Sequence, residues 1–312
     1  MRTGATSAEN RALRLATAPV SWGIWEQTIE RSDLVPPQSF LETVTAIGYR
    51  AIESGPPGYL APDGAAAVEL LRPFQIEVVA TFLPLRLDDE QGFVADLAAL
   101  DRATEVLAAT GGRLVILADA ERPERVRASG RPERMRELAW SDTTLDEAAR
   151  RLERALERCA ERGLRAAIHP HAATCLETQE ETEAILERTP SELGLCLDTG
   201  HAVVGGADPL ELARRYGSRL LHLHLKDVDG TVLEQLREGR IDMNEAWPQG
   251  LFCPFGEGVV PLADFLGLPE VRGLDGFAVL EQDRIAVTID DLPAVRAVEE
   301  RNLERVQHWL SA

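Results

Sequence analysis

Residues 220–230 read LLHLHLKDVDG, and the alternation in this stretch decides the fold. Successive side chains of a strand point to opposite faces, so His222, His224 and Lys226 share one face while Leu221, Leu223 and Leu225 share the other. The leucines suit contact with surrounding helices, and the polar face suits an interior that opens at the strand's end. His224 then sits nearer the mouth, with His222 one layer deeper. The structural alternative is a pair of core histidines with satisfied hydrogen bonds, and it is stronger for His222 than for His224.

Working outward, short apolar runs with the same character recur at 15–22, 49–54, 77–83, 113–117, 165–169, 194–198 and 277–281. Stretches with helical spacing separate them, for example 63–74, 96–110, 144–162 and 178–188. Strand-length runs alternating with helix-length periodicity are the mark of βα units around a parallel sheet. Counting the opening stretch, the repeats number eight, which predicts a single α/β domain, a (β/α)8 barrel over 13–312, with 1–12 as a disordered tail. Gly48, Gly111, Gly163 and Gly276 stand just before strands, where a helix C-cap or an αβ turn calls for positive φ. Two stretches exceed a minimal barrel. Residues 118–142, ADAERPERVRASGRPERMRELAWSD, are expected to form a lid or a partner contact, and 229–257, with Trp247, Phe252 and Phe255, to cover the site.

Composition narrows the function. A formal charge of -19 repels a phosphate backbone and argues against nucleic acid as a partner. Cys159, Cys175, Cys196 and Cys253 form no CxxC pair, so neither a disulfide framework nor structural zinc is expected. The first residues lack an apolar signal core and no apolar run is long enough for a membrane span, so the expectation is a cytoplasmic protein with no membrane partner. Barrels of this kind often assemble into homo-oligomers, and nothing here sets the number of subunits.

Five of the six histidines lie between His169 and His224, each at or near a predicted strand end. In a (β/α)8 barrel those ends converge on one face, so residues remote in sequence meet there. LGLCLDTGH (193–201) ends a strand on Asp198, which is costly to bury unless paired, metal-bound or used as a helix N-cap. His201, three residues on, reads as a substrate contact. GFAVLEQDR (276–284) places Glu281 at the last strand end, with Arg284 as the partner if Glu281 forms a salt bridge. AAIHPH (166–171) offers His169 and His171, with Pro170 stiffening the exit. Glu53 ends the second strand, with structural and catalytic readings evenly matched. Trp22 either packs on sugar carbons or plugs the barrel. Two imidazoles with two carboxylates suit Mn2+, Co2+ or Zn2+ more than Ca2+. Such an ion polarises a carbonyl, so proton abstraction beside a ketone is the natural chemistry. GEGVVP (256–261) lacks the glycines and the Lys-Ser/Thr of a phosphate loop, and no GxSxG elbow is present.

At these residues the chain resembles the xylose-isomerase-like (β/α)8-barrel superfamily of sugar isomerases and epimerases, and within it the inosose (2-keto-myo-inositol) dehydratase group. The matching segments are APVSWGIWE, GYRAIESGPPGYL, HPHAATCLET, LGLCLDTGHAVVGGADP, HLHLKDVDG, GLFCPFGEGVVP and LEQDR, in that order. HLHLKD and LDTGH mark the barrel; HPH with CLET, AIESGPPGY and GEGVV are more particular to the dehydratases. The resemblance implies one divalent ion, Mn2+ or Co2+, held by His169, Asp198, His224 and Glu281. It implies a lyase that removes water from a small polyhydroxylated keto substrate; the candidates for moving protons are His171, Glu53 and Lys226, and those for touching the substrate are Trp22, His201 and Arg284. Epimerases of the superfamily carry a glutamate where this chain has His169, which favours elimination over epimerisation. The rival readings are a metal-dependent isomerase or epimerase on the same barrel, a non-catalytic barrel subunit, and a zinc endonuclease, the last opposed by the charge.

Overall fold

The computed structural model describes residues 13–312; the predicted tail at 1–12 lies outside them. Its strands are β1 Arg14–Thr17, β2 Ala51–Glu53, β3 Glu77–Leu85, β4 Leu114–Asp119, β5 Arg165–Ile168, β6 Gly194–Asp198, β7 Leu220–Leu225, β8 Asp227–Val228, β9 Phe252–Cys253 and β10 Phe277–Leu280. Its helices are α1 Pro37–Ile47, α2 Gly64–Leu71, α3 Glu90–Ala109, α4 Pro123–Ala128, α5 Pro132–Glu137, α6 Asp142–Ala160, α7 Gln179–Arg188, α8 Thr199–Val204, α9 Pro209–Tyr216, α10 Gly230–Arg237, α11 Met243–Ala246, α12 Leu262–Gly267, α13 Pro269–Arg272 and α14 Leu292–Ser311. Eight strands close in the order β1-β10-β7-β6-β5-β4-β3-β2, all parallel, while β8 and β9 pair antiparallel as a separate ribbon. This is the predicted barrel, with the ribbon inserted after β7.

The period of two sorts the core into two layers. Val115, Leu117, Leu195 and Leu197 pack outward with the helices, while their neighbours Ile116 and Cys196 join Ala16, Ala80, Ala167 and Val279 in a cluster drawn from the strands and filling the barrel. Small residues there leave room for side chains from opposite walls to meet.

The boundaries differ from the sequence expectation where local chemistry overrides periodicity. The first strand stops at Thr17, and Pro19–Trp22 forms a 3-10 turn, because Pro19 has no N–H for a ladder and starts a helical turn readily. The helix expected from 96 begins at Glu90, capped by the Asp89 carboxylate, which accepts from the N–H groups of Gln91 and Gly92. Gly48, Gly111 and Gly163 have positive φ as expected, but Gly276 does not. It is needed for space, since a Cβ there would stand 2.7 Å from the Leu221 carbonyl oxygen.

The 118–142 segment starts in the cavity wall, at Asp119, Ala120 and Glu121, and packs inward through Arg125, Val126, Ala128 and Met135 while much of the rest is exposed. It forms α4 and α5, and the Arg125 side chain, fully buried, makes two 2.9 Å bonds to the Glu181 carboxylate on α7. The 229–257 segment does reach the barrel mouth, through Trp247. Cys159, Cys175, Cys196 and Cys253 are free and buried. No helix among the described residues is long and apolar enough to cross a membrane.

Candidate active site

The C-terminal ends of the strands surround a cavity of about 240 Å³, below the ~300–1,000 Å³ usual for drug-sized ligands and suited to one small molecule. Glu53, His169, His171, His224, Lys226 and Glu281 all line it. They come from β2, the turn after β5, β7 and its exit, and the exit of β10, so convergence of strand ends brings them together.

Glu53 organises the floor. Its Oε1 lies 2.7 Å from His222 Nε2 and 3.0 Å from His224 Nε2. Burial alone would raise its pKa, but the His224 charge and the hydrogen bonds from both rings outweigh that and hold it below the usual carboxylate range. An ionised carboxylate only accepts, so both Nε2 atoms carry hydrogen. His222 is thereby the satisfied deep-layer histidine of the structural alternative.

With Nε2 used, His224 turns Nδ1 toward Glu281 Oε2 at 3.3 Å and Asp198 Oδ2 at 3.6 Å. Nδ1 is buried and has no hydrogen-bond partner. Three ligand atoms, from Asp198, His224 and Glu281, therefore lie within 4.8 Å of one another. The two carboxylates crowded this closely call for positive charge, and the Lys226 ammonium supplies it, bonding to Asp198 Oδ2 at 2.8 Å and to Glu281. Burial disfavours a charged lysine, yet Asp198, Asp283 and Glu281 raise its pKa well above the ordinary value. Asp198 also caps α8, its Oδ1 accepting from Gly200 and His201 N–H at 2.8 Å, so the N-cap and cation-holding readings hold together on different oxygens. The donor set, the orphaned Nδ1 and the hydrogen-bonded far side of the imidazole all fit a divalent ion. His169 stands beside His224, rings 4.8 Å apart, but shares its ligand groupings with His171 and His201 or with Cys196 and His224.

The His171 ring packs 3.8 Å from that of His201. Its Nδ1 lies 2.8 Å from the Ala172 carbonyl, which can only accept, so Nδ1 carries the proton and Nε2 is the basic nitrogen. Burial and then the Lys226 charge push His171 down to about 4.

Packing treats the three substrate-contact expectations differently. Trp22 does not line the cavity; fully buried, it packs edge-on against Phe40 as a plug. His201 lies behind His171, its Nδ1 accepting the Ala172 N–H at 3.3 Å. Arg284 does reach the wall, but its partner is Glu299 at 2.7 Å rather than Glu281. The aromatic rim is instead Trp25 and Trp247, ring centroids 5.6 Å apart.

Acidic residues missed from sequence complete the wall. Asp283 is 3.4 Å from Lys226 Nζ, and burial, with Glu281 adding to it against Lys226, pushes it up to about 7. Standing two residues after Glu281, it could have been found by the same alternation that grouped His222 with His224. Asp119 also lines the cavity, and ending the fourth strand at 117 hid it. Glu121, at the mouth, had no strand signal.

A family model described as Xylose isomerase-like TIM barrel matches residues 41–304. A Geobacillus kaustophilus (strain HTA426) protein named inosose dehydratase is 27% identical over 300 residues, 96% of each chain. The Rhizobium meliloti rhizopine catabolism protein MocC is 30% identical over 277 residues, 88% of this chain and 82% of its own. The crystal structure of IOLI protein with a binding zinc atom superposes with a TM-score of 0.71 at 16% identity, covering 96% of this chain and 100% of that one, a likeness of fold. On the family match across most of its length, the chain belongs to the xylose isomerase-like TIM barrel family.

Proposed function

We propose that this protein is a divalent-metal-dependent dehydratase that eliminates water from a keto-inositol. The observation that carries the reading is the Asp198–His224–Glu281 cluster of ligand atoms, of which His224 and Glu281 line the cavity, beside a histidine in the same wall whose free nitrogen is Nε2. The similarity to a protein named inosose dehydratase over 96% of both chains supports the substrate class. Asp198, His224 and Glu281 would hold the ion, Mn2+ or Co2+ ahead of Zn2+, with His169 the nearest further imidazole. Bound there, it would polarise the ketone and acidify the adjacent C–H.

His171, neutral at pH 7 because burial and Lys226 depress it, takes the α-proton on Nε2. The C–H electron pair becomes the new C=C bond, the β C–O bond breaks, and the leaving hydroxyl departs as water after taking a proton. Lys226, which lines the cavity, is the donor. Glu53 acts as the orienting carboxylate of His224 rather than as a proton carrier. Trp25 and Trp247 offer apolar faces to ring carbons. This reading implies a cytoplasmic enzyme whose partner is a small polyhydroxylated ketone.

The test is incubation with 2-keto-myo-inositol in D2O with Mn2+, with and without a chelator, followed by proton NMR. Metal-dependent loss of water to a dione or its enol is expected. Deuterium incorporation beside the ketone without dehydration would replace this reading with an isomerase or epimerase, and no reaction would reject the substrate.

A further inference from the structure

His171 is held by a carboxylate that never enters the cavity. Glu177 is buried at 2% exposure and lies outside the cavity wall. Its Oε2 accepts the Ala173 N–H at 2.8 Å. Its Oε1 accepts the Ser129 hydroxyl at 2.6 Å and the Gly130 N–H at 3.1 Å. The carboxylate thus ties the turn after β5 to the segment between α4 and α5.

The Ala173 N–H and the Ala172 C=O belong to one planar trans peptide, so they point in opposite directions. One end of that peptide is bonded to Glu177 and the other, 2.8 Å away, to His171 Nδ1. The orientation is unfavourable by itself, because Ala173 has φ +66, the left-handed region that an alanine avoids. Something must hold it, and Glu177 supplies the bond. Released, the 172–173 peptide can rotate its carbonyl away, and His171 then loses the acceptor that keeps hydrogen on Nδ1 and the lone pair on Nε2.

We propose that Glu177 is a positioning residue for His171, acting through the Ala172–Ala173 peptide. The proposal rests on the reading of His171 as the proton acceptor above. It also accounts for the burial of Arg125, Ser129 and Gly130 within the otherwise largely exposed 118–142 segment. Ser129 and Gly130 anchor the carboxylate, and Arg125 fixes Glu181, which in turn accepts the Glu177 N–H at 3.0 Å.

The full-length, metal-loaded protein is compared with Glu177→Ala and Glu177→Gln. Nitrogen chemical shifts of the His171 ring are recorded without substrate, and kcat and KM are measured with the keto-inositol. For Glu177→Ala a mixture of ring tautomers is expected, with kcat down about 10- to 100-fold, KM within about twofold and Mn2+ binding unchanged. Glu177→Gln keeps an oxygen for the Ala173 N–H and should recover most of both signals. A single Nδ1–H tautomer with undiminished kcat in Glu177→Ala overturns the proposal, as does a kcat loss that only tracks unfolding. If Glu177→Ala does not fold, Ser129→Ala loosens the same carboxylate and is read by the same resonances. Because the ring shifts need no substrate, they decide the positioning role even if the wild-type protein fails to dehydrate the keto-inositol.

Discussion

Replacing Glu53 tests whether this carboxylate orients His224 or moves protons. Its Oε1 is the shared acceptor of two buried imidazole N–H groups, 2.7 and 3.0 Å away. Glu53→Gln keeps an acceptor oxygen and removes the charge that strengthens His224 as a ligand. Loss of such outer partners typically costs about 10- to 100-fold in metal affinity, or ~1.4–2.7 kcal/mol. Glu53→Ala removes the acceptor as well. Two buried N–H groups are then unsatisfied at ~1–3 kcal/mol each, so ~2–6 kcal/mol of stability is lost. At ~2 °C per kcal/mol for a chain of this length, the melting midpoint falls by about 4–12 °C. Calorimetric titration of metal-free protein with Mn2+, paired with thermal unfolding, measures both quantities. The reasoning is refuted if Glu53→Gln binds Mn2+ as tightly as wild type. If it does so while turnover vanishes, Glu53 carries protons.

Two further outcomes follow from groups away from the cluster. Burial, then the negative neighbours Glu26 and Asp283, push Glu121 up to about 7. A raised folded-state pKa gives stability that is full below the ordinary glutamate value and is lost as pH rises through 7. Melting of the wild type should therefore drop between pH 5 and 8 more than that of Glu121→Gln, by ~1 kcal/mol after allowing for solvent at the mouth; coincident slopes would contradict this. Arg125→Met strands the buried Glu181 carboxylate and should cost ~3–5 kcal/mol, read as a lower urea midpoint at unchanged m-value. A change under ~1 kcal/mol would show that the Arg125–Glu181 pair is dispensable.

Alternation along the chain was enough to reveal the barrel and to place Asp198, His224 and Glu281 at one mouth, because strand period and parallel topology are local properties repeated eight times. Glu53, His169, His171 and Lys226 were legible for the same reason: each ends a strand or immediately follows one. What a side chain does after it arrives depends on contacts between remote segments. Glu53 meets His222 and His224 across 169 and 171 positions of sequence, and only closure of the barrel makes that pairing. Trp22 and His201 are adjacent to the site in sequence yet are turned into packing by a proline-initiated turn and by the ring of His171. Arg284 is drawn to Glu299, which no local pattern links to it. The charged segment at 118–142 reads as a lid or a partner contact by composition and position, and nothing local shows that Arg125 is buried, because the charge that compensates it is Glu181, on α7. Short-range periodicity is written in the chain itself; which charges neutralise one another in a low-dielectric interior is decided by three-dimensional proximity.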